Sequence, residues 1–178
     1  MVYDRLHPRV PAFQMASTDV TEGERMAPRH GSALFGIPGG RDVSPQLSWS
    51  GFPAGVKSFV VTCFDPDAPT PSGFWHWGLV DIPAGVTGLP SAAGASDAEL
   101  PGGAFHVASE VGLPRFVGSA PPEGTGRHRY VFAVHALDVV SVRDLGVSET
   151  STIAVLHFLM RGHTLGRAVM TAWASADE

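Results

Sequence analysis

Two carboxylates and two imidazoles stand at the ends of apolar runs in this chain. Asp65 and Asp67 follow the run SFVVTCF, His76 lies between Trp75 and Trp77, and GTGRHRYVFAVHALD contributes His128 and Tyr130. Ionised carboxylates accept hydrogen bonds, whereas imidazole can donate one or carry positive charge near neutral pH. Together the four could clamp a phosphate-bearing head group. His76 and His128 would attract the anion, while Asp65 and Asp67 would orient the rings or bind an ammonium substituent, because bare carboxylates repel phosphate.

Each residue also has a plainer role open to it. An Asp that ends a strand and precedes proline serves as a turn residue, accepting hydrogen bonds from nearby backbone. His76 could be a satisfied sheet histidine, His135 a structural one, and His157 and His163 helix-surface or cap residues. Phe74, Trp75 and Trp77 are core or pocket wall before they are a ligand box. HxW and HRY lack the His-x-His or His-x-x-x-His spacing of a metal site, so neither a metal nor a cofactor is expected. The GxSxG nucleophile elbow is absent, and nothing near Ser119 marks it as activated. A hydrolase using the His/Asp group is therefore the weakest functional reading.

The elements that must position these groups are strands. Val56 to Phe64 alternates Phe59, Val61 and Cys63 on one face with Val60, Thr62 and Phe64 on the other, both apolar, which predicts a central strand covered on both sides. Asp65 continues the first face, and Pro66 and Pro69 end the ladder. Phe74 to Ile82 predicts a second strand and Arg127 to Asp138 a third, with His128, Tyr130, Phe132 and Val134 sharing one face. Leu47 and Trp49 suit a short strand. Before Gly40 the pattern is weak, with Phe13, Met15, Leu34 and Phe35 as candidate anchors and Asp19 to Arg29 as a strand edge or surface loop. Ala84 to Gly103 reads as an irregular surface excursion. Ser148 is a candidate N-cap for a helix carrying Ile153, Leu156, Phe158 and Leu159, with Gly162 as its stop. LGRAVMTAW is expected to continue helically to about Ala168 and then return as an edge strand.

Composition narrows the class. At 178 residues and 44% hydrophobic content, the chain is read as one domain spanning 1–178, able to bury about two-thirds of its unfolded surface. Fifteen prolines and twenty-one glycines disfavour a helical bundle. The net charge of −5, with Lys57 the sole lysine, offers nucleic acid little to hold. No apolar run approaches the roughly 20 residues of a membrane span. Asp4, Arg5, His7 and Pro8 interrupt the N-terminal run before a signal-peptide core can form, so a cytoplasmic protein is expected. Cys63 excludes an intrachain disulfide and is expected to be a buried thiol.

SPQLSW, DPDAP, FWHW, GSAPPEGTGRHRY and GHTLGRA occur in this order from Val43 to the C-terminus. In this the chain resembles the phosphatidylethanolamine-binding protein family, also called Raf kinase inhibitor-like proteins, in its bacterial form. The resemblance implies a mainly β fold: an antiparallel Greek-key β-sandwich with a helix near the C-terminus, long loops, and a small anion pocket at one end. It implies that Asp65, Asp67, His76 and His128 line that pocket, that Ala120, Pro121 and Pro122 shape its rim, and that Tyr130 contacts or supports the ligand.

Four residues, at three places in the chain, depart from the family's pattern. Ala120 stands where a glycine often precedes the proline pair, which would narrow the entrance or alter the backbone. Asp42 and Val43 replace an asparagine-containing GxNxSP sequence, and Glu110 stands where aspartate is frequent. By resemblance the ligands are phosphate, carboxylate or phosphorylethanolamine-like groups, bound without catalysis. The alternative is a regulator that inhibits a kinase or protease by protein–protein contact. Contact with a membrane would be peripheral at most, and the resemblance also implies a homodimer.

Overall fold

The computed structural model describes residues 2–5 and 9–178. His7 and Pro8, which interrupt the N-terminal run, lie outside the described residues. Strands β1 (Gln14–Ala16), β2 (Leu47–Ser50), β3 (Ser58–Asp65), β4 (Phe74–Pro83), β5 (Gly88–Leu89), β6 (Phe105–His106), β7 (His128–Leu137) and β8 (Thr164–Ala174) surround one α-helix, α1 (Ile153–Met160). They form a five-stranded sheet in the order β6-β4-β3-β7-β8 and a three-stranded sheet in the order β1-β2-β5. All of these strand pairs are antiparallel. The expected sandwich with a late helix is present.

The predicted alternation of β3 places it at the centre of the larger sheet, buried along its whole length. Phe59, Val61 and Cys63 point between the sheets, where they join Trp77 and Leu79 of β4, Phe132 and Val134 of β7, and Leu47 and Trp49 of β2. On the other face Val60 and Val80 meet Ile153, Leu156 and Met160 of α1. The helix approaches closely because β4 has Gly78 there: a Cβ would lie 2.6 Å from Val107 Cγ2 and 2.9 Å from Ile153 Cγ1. Cys63 is buried, and burial pushes its thiol well above the ordinary range.

Two bulges interrupt the β3–β4 register. One lies between Phe59 and Val61, opposite Val80 and Asp81, and the φ of Asp81 is +58°; the Asp81 carboxylate accepts the backbone N–H of Val142 and the hydroxyl of Ser141, capping the turn that begins there. The other skips His76, since Cys63 pairs with Trp77 and Phe64 with Trp75. An extra residue in one strand re-aims its side chain, so His76 is turned by backbone register rather than by simple alternation.

The structure departs from the sequence-based expectations in several elements. The helix N-cap is Thr152, whose hydroxyl accepts the Val155 N–H, because Ser148 and Ser151 are engaged in the preceding turn. LGRAVMTAW does not continue the helix. Thr164, Gly166, Ala168, Met170 and Ala172 alternate inward along β8, and ladder pairing with β7 over its length outweighs local helix preference. Leu34 and Phe35 are about half exposed rather than anchoring. His157 turns inward, its ring 4.9 Å from that of Trp75. The segment from Pro11 to Met26 covers the outer edge of β8 through hydrogen bonds to Arg167, Thr171 and Trp173, the protection an exposed edge requires.

Candidate functional site

Antiparallel pairing brings the end of β3 beside the starts of β4 and β7. This single edge therefore carries Asp65, His76, His128 and Tyr130, and all four line one cavity of about 780 Å³. Ala120, Pro121 and Pro122 line it as well, while Phe35, Ile37 and Phe74 give it an apolar flank. Ala120 does not take a positive φ, so its methyl group reshapes the rim without left-handed strain.

Asp65 fills both roles that the sequence left open. Its Oδ1 accepts the backbone N–H groups of Asp67 at 2.8 Å and Ala68 at 3.0 Å, forming a local turn. Its Oδ2 accepts from His128 Nδ1 at 2.8 Å. The other ring nitrogen, Nε2, lies 2.8 Å from Thr125 Oγ1. Thr125 donates its one hydroxyl proton to the Pro122 carbonyl at 2.6 Å, and a carbonyl can only accept. Thr125 therefore bridges the Pro122 carbonyl and His128 Nε2 and fixes the orientation of the ring. The result is a buried imidazole–carboxyl pair with both ring nitrogens engaged.

His76 is held differently. Its Nδ1 donates to Val117 O at 2.8 Å, which leaves Nε2 as the lone-pair nitrogen. Burial pushes its pKa below the ordinary histidine value, so the ring is neutral near pH 7. Tyr130 packs edge-on to it, with ring centroids 5.1 Å apart. Burial raises the Tyr130 pKa against the opposing effect of the Ala120 backbone, and no acceptor for its buried hydroxyl proton is present among the described residues. The cavity therefore offers a phenol donor and an imidazole that can take up a proton, beside a pair that is already satisfied.

Asp67 is placed apart from these groups and does not line the cavity. Arg129 grips its carboxylate through Nε at 2.8 Å and Nη2 at 2.7 Å, and these bonds hold its pKa below the usual carboxylate range. Asp67 thus ties the DPDAP loop to β7. Among the described residues, no group of three or more His, Cys, Asp or Glu is arranged to hold a metal ion.

The roof contains supports that the sequence did not single out for this role. Asp42 adopts φ +51° and accepts the Gly118 N–H at 2.7 Å, immediately after the carbonyl that holds His76. Gly118 itself crosses bare backbone: a Cβ there would lie 2.4 Å from Gly31 C. Thr125 was visible in GTGRHRY, but its contact with His128 depends on a loop conformation that spacing does not reveal.

The family described as phosphatidylethanolamine-binding protein matches residues 16–174. The chain belongs to this family. It is 40% identical to the UPF0098 protein YbhB of Escherichia coli over 163 residues, covering 92% of this chain and 100% of that protein. It is 42% identical to YbcL of the same organism over 161 residues, covering 90% and 86%. The crystal structure of YbcL, described as a new member of the mammalian family, aligns with a TM-score of 0.87 at 39% identity, covering 93% of this chain and 99% of that one. A family homologue from Chlamydia trachomatis aligns with a TM-score of 0.76 at 27% identity, covering 93% and 99%. Membership makes the chain a binding protein of the phosphatidylethanolamine-binding type. No helix among the described residues is long and apolar enough to cross a membrane.

Proposed function

We propose that the chain binds a small phosphorylated or carboxylated group, of the kind carried by a phosphorylethanolamine head, and releases it unchanged. Asp65, His76, His128 and Tyr130 form the polar end of the site, Ala120, Pro121 and Pro122 its rim, and Asp67 the brace of its loop. The observation that carries this reading is the meeting of the His128–Asp65 pair, the proton-accepting His76 and the unpartnered Tyr130 hydroxyl at one cavity. An anion there accepts a hydrogen bond from the Tyr130 hydroxyl and favours protonation of His76, which offsets the cost of burying negative charge.

Calorimetric titration with phosphorylethanolamine, inorganic phosphate and acetate tests the proposal, with His128→Ala and Asp67→Ala as controls. Saturable binding should be weakened strongly by the first substitution and less by the second. Failure of all three ligands with folded protein would remove the proposal and favour the second reading, inhibition of a kinase or protease. That reading draws its support from the half-exposed Leu34 and Phe35, the latter on the cavity wall, as an apolar contact for a partner.

A further inference from the structure

The loop between Pro122 and Arg127 directs two backbone N–H groups at one carboxylate. Gly124 and Gly126 adopt φ of +76° and +77°, and a Cβ on either would meet nothing within 4 Å. Glycine serves here for left-handed backbone, not for space. Gly124 N donates to Asp177 Oδ1 at 2.8 Å, and Gly126 N to Asp177 Oδ2 at 3.1 Å. Beside them Arg127 donates through Nε and Nη2 to the two carboxylate oxygens of Glu178, both at 2.9 Å. The Arg127 guanidinium lies 4.1 Å from the Trp173 ring centroid, and that of Arg25 lies 5.8 Å from it.

Two backbone donors, a forked guanidinium and an aromatic platform are the parts of a carboxylate-recognition site. We propose that this loop is an acidic-peptide site, filled in cis by Asp177 and Glu178, which a partner segment with two consecutive acidic residues occupies when the tail is displaced. The site adjoins the proposed anion pocket, with Glu178 on the wall of both, but does not rest on it. Ala174, Ser175, Ala176 and Glu178 form part of the cavity wall, and Thr125, between the two glycines, holds His128 Nε2. Exchange of the tail for a partner would change one wall of the cavity.

Asp177 follows the end of β8 by three residues, so the tether gives the tail an effective concentration of about 1 mM or more. A free acidic peptide should therefore compete poorly with wild-type protein. Neutralising the tail exposes the site without touching the core, since both side chains are exposed.

The test compares wild-type protein with the Asp177→Asn/Glu178→Gln double variant. The probe is the blocked peptide acetyl-Ser-Ala-Asp-Glu-amide, and the readout is the amide NMR signals of Gly124 and Gly126. Below about 1 mM the wild-type signals should stay in place. Those of the folded double variant should shift saturably, with affinity reduced about tenfold by Arg127→Ala or by about 0.5 M salt. The neutral peptide acetyl-Ser-Ala-Asn-Gln-amide should leave them unmoved. A folded double variant whose two glycine signals ignore the acidic peptide, or respond equally to the neutral one, would overturn the proposal.

Discussion

His128 Nδ1 and Asp65 Oδ2 lie 2.8 Å apart, and the two side chains are 1% and 4% exposed. Their contact bridges the start of β7 and the end of β3, so it is part of the fold as well as of the site. Removing one member leaves the other buried without its partner. Asp65→Ala should cost about 3–5 kcal/mol in urea denaturation. Asp67→Ala should cost less than about 1 kcal/mol, because its partner Arg129 is more than half exposed and solvent screens the pair. Equal losses would show that the buried pair has no special standing.

Binding should be linked to protons through His76. Its pKa is depressed in the free protein by burial, and a bound anion raises it, so binding takes up a proton as the pH falls towards and below the ordinary histidine value. Acetate affinity should rise between pH 8 and 6, with a limiting slope of about tenfold per pH unit. Acetate is the suitable probe because it does not titrate in this range. A flat profile would mean that His76 stays neutral in the complex.

The face of the sheet away from the cavity carries a separate acid-sensitive group. Arg167 Nε donates to His135 Nδ1 at 3.0 Å, leaving Nε2–H for Thr62 Oγ1 at 3.3 Å and the Thr62 hydroxyl for Tyr3 at 3.2 Å. His157 packs beside His135 and Trp75. Burial lowers the His157 pKa to about 3 and drives that of His135 well below the ordinary value. A histidine held neutral in the fold costs stability once the unfolded chain can take its proton. The loss should therefore begin as pH falls through about 6.5 and grow by up to about 1.4 kcal/mol per unit for each ring. His157→Leu should flatten the stability profile between pH 6 and 4; an unchanged slope would place the acid sensitivity elsewhere.

Much of the framework was legible because burial and pairing agreed with local pattern. In β3, both faces are apolar and the following prolines mark its end. The four groups that line the cavity follow from strand ends, and DPDAP with GTGRHRY marks them as a set. The His76 bulge was not legible, because a register shift leaves no mark in the sequence of one strand. Asp67 was grouped with the cavity because it shares a motif with Asp65, yet Arg129 on the neighbouring strand turns its carboxylate away. The edge-strand half of LGRAVMTAW was legible in the alternation of Val169, Thr171 and Trp173, whereas the start of β8 at Thr164 depends on its pairing with β7.

The roof should depend on Asp42 and Gly118. Asp42→Asn keeps an acceptor and tolerates left-handed backbone, so its effect on stability should stay below about 1 kcal/mol. Asp42→Ala leaves the buried Gly118 N–H unpaired and should cost about 1–3 kcal/mol, with weaker ligand binding. Gly118→Ala forces the roof off the Gly31 backbone and should be worse than either. Equal binding by all three variants would separate the roof from the site.

The most direct measurement is nitrogen-15 NMR of the histidine rings during titration with phosphorylethanolamine near pH 7. His128 should change little, because both of its ring nitrogens are already engaged. His76 should begin with a bare Nε2 and gain a proton there as the ligand saturates. Saturation that leaves the His76 signals unmoved would contradict the account of the site.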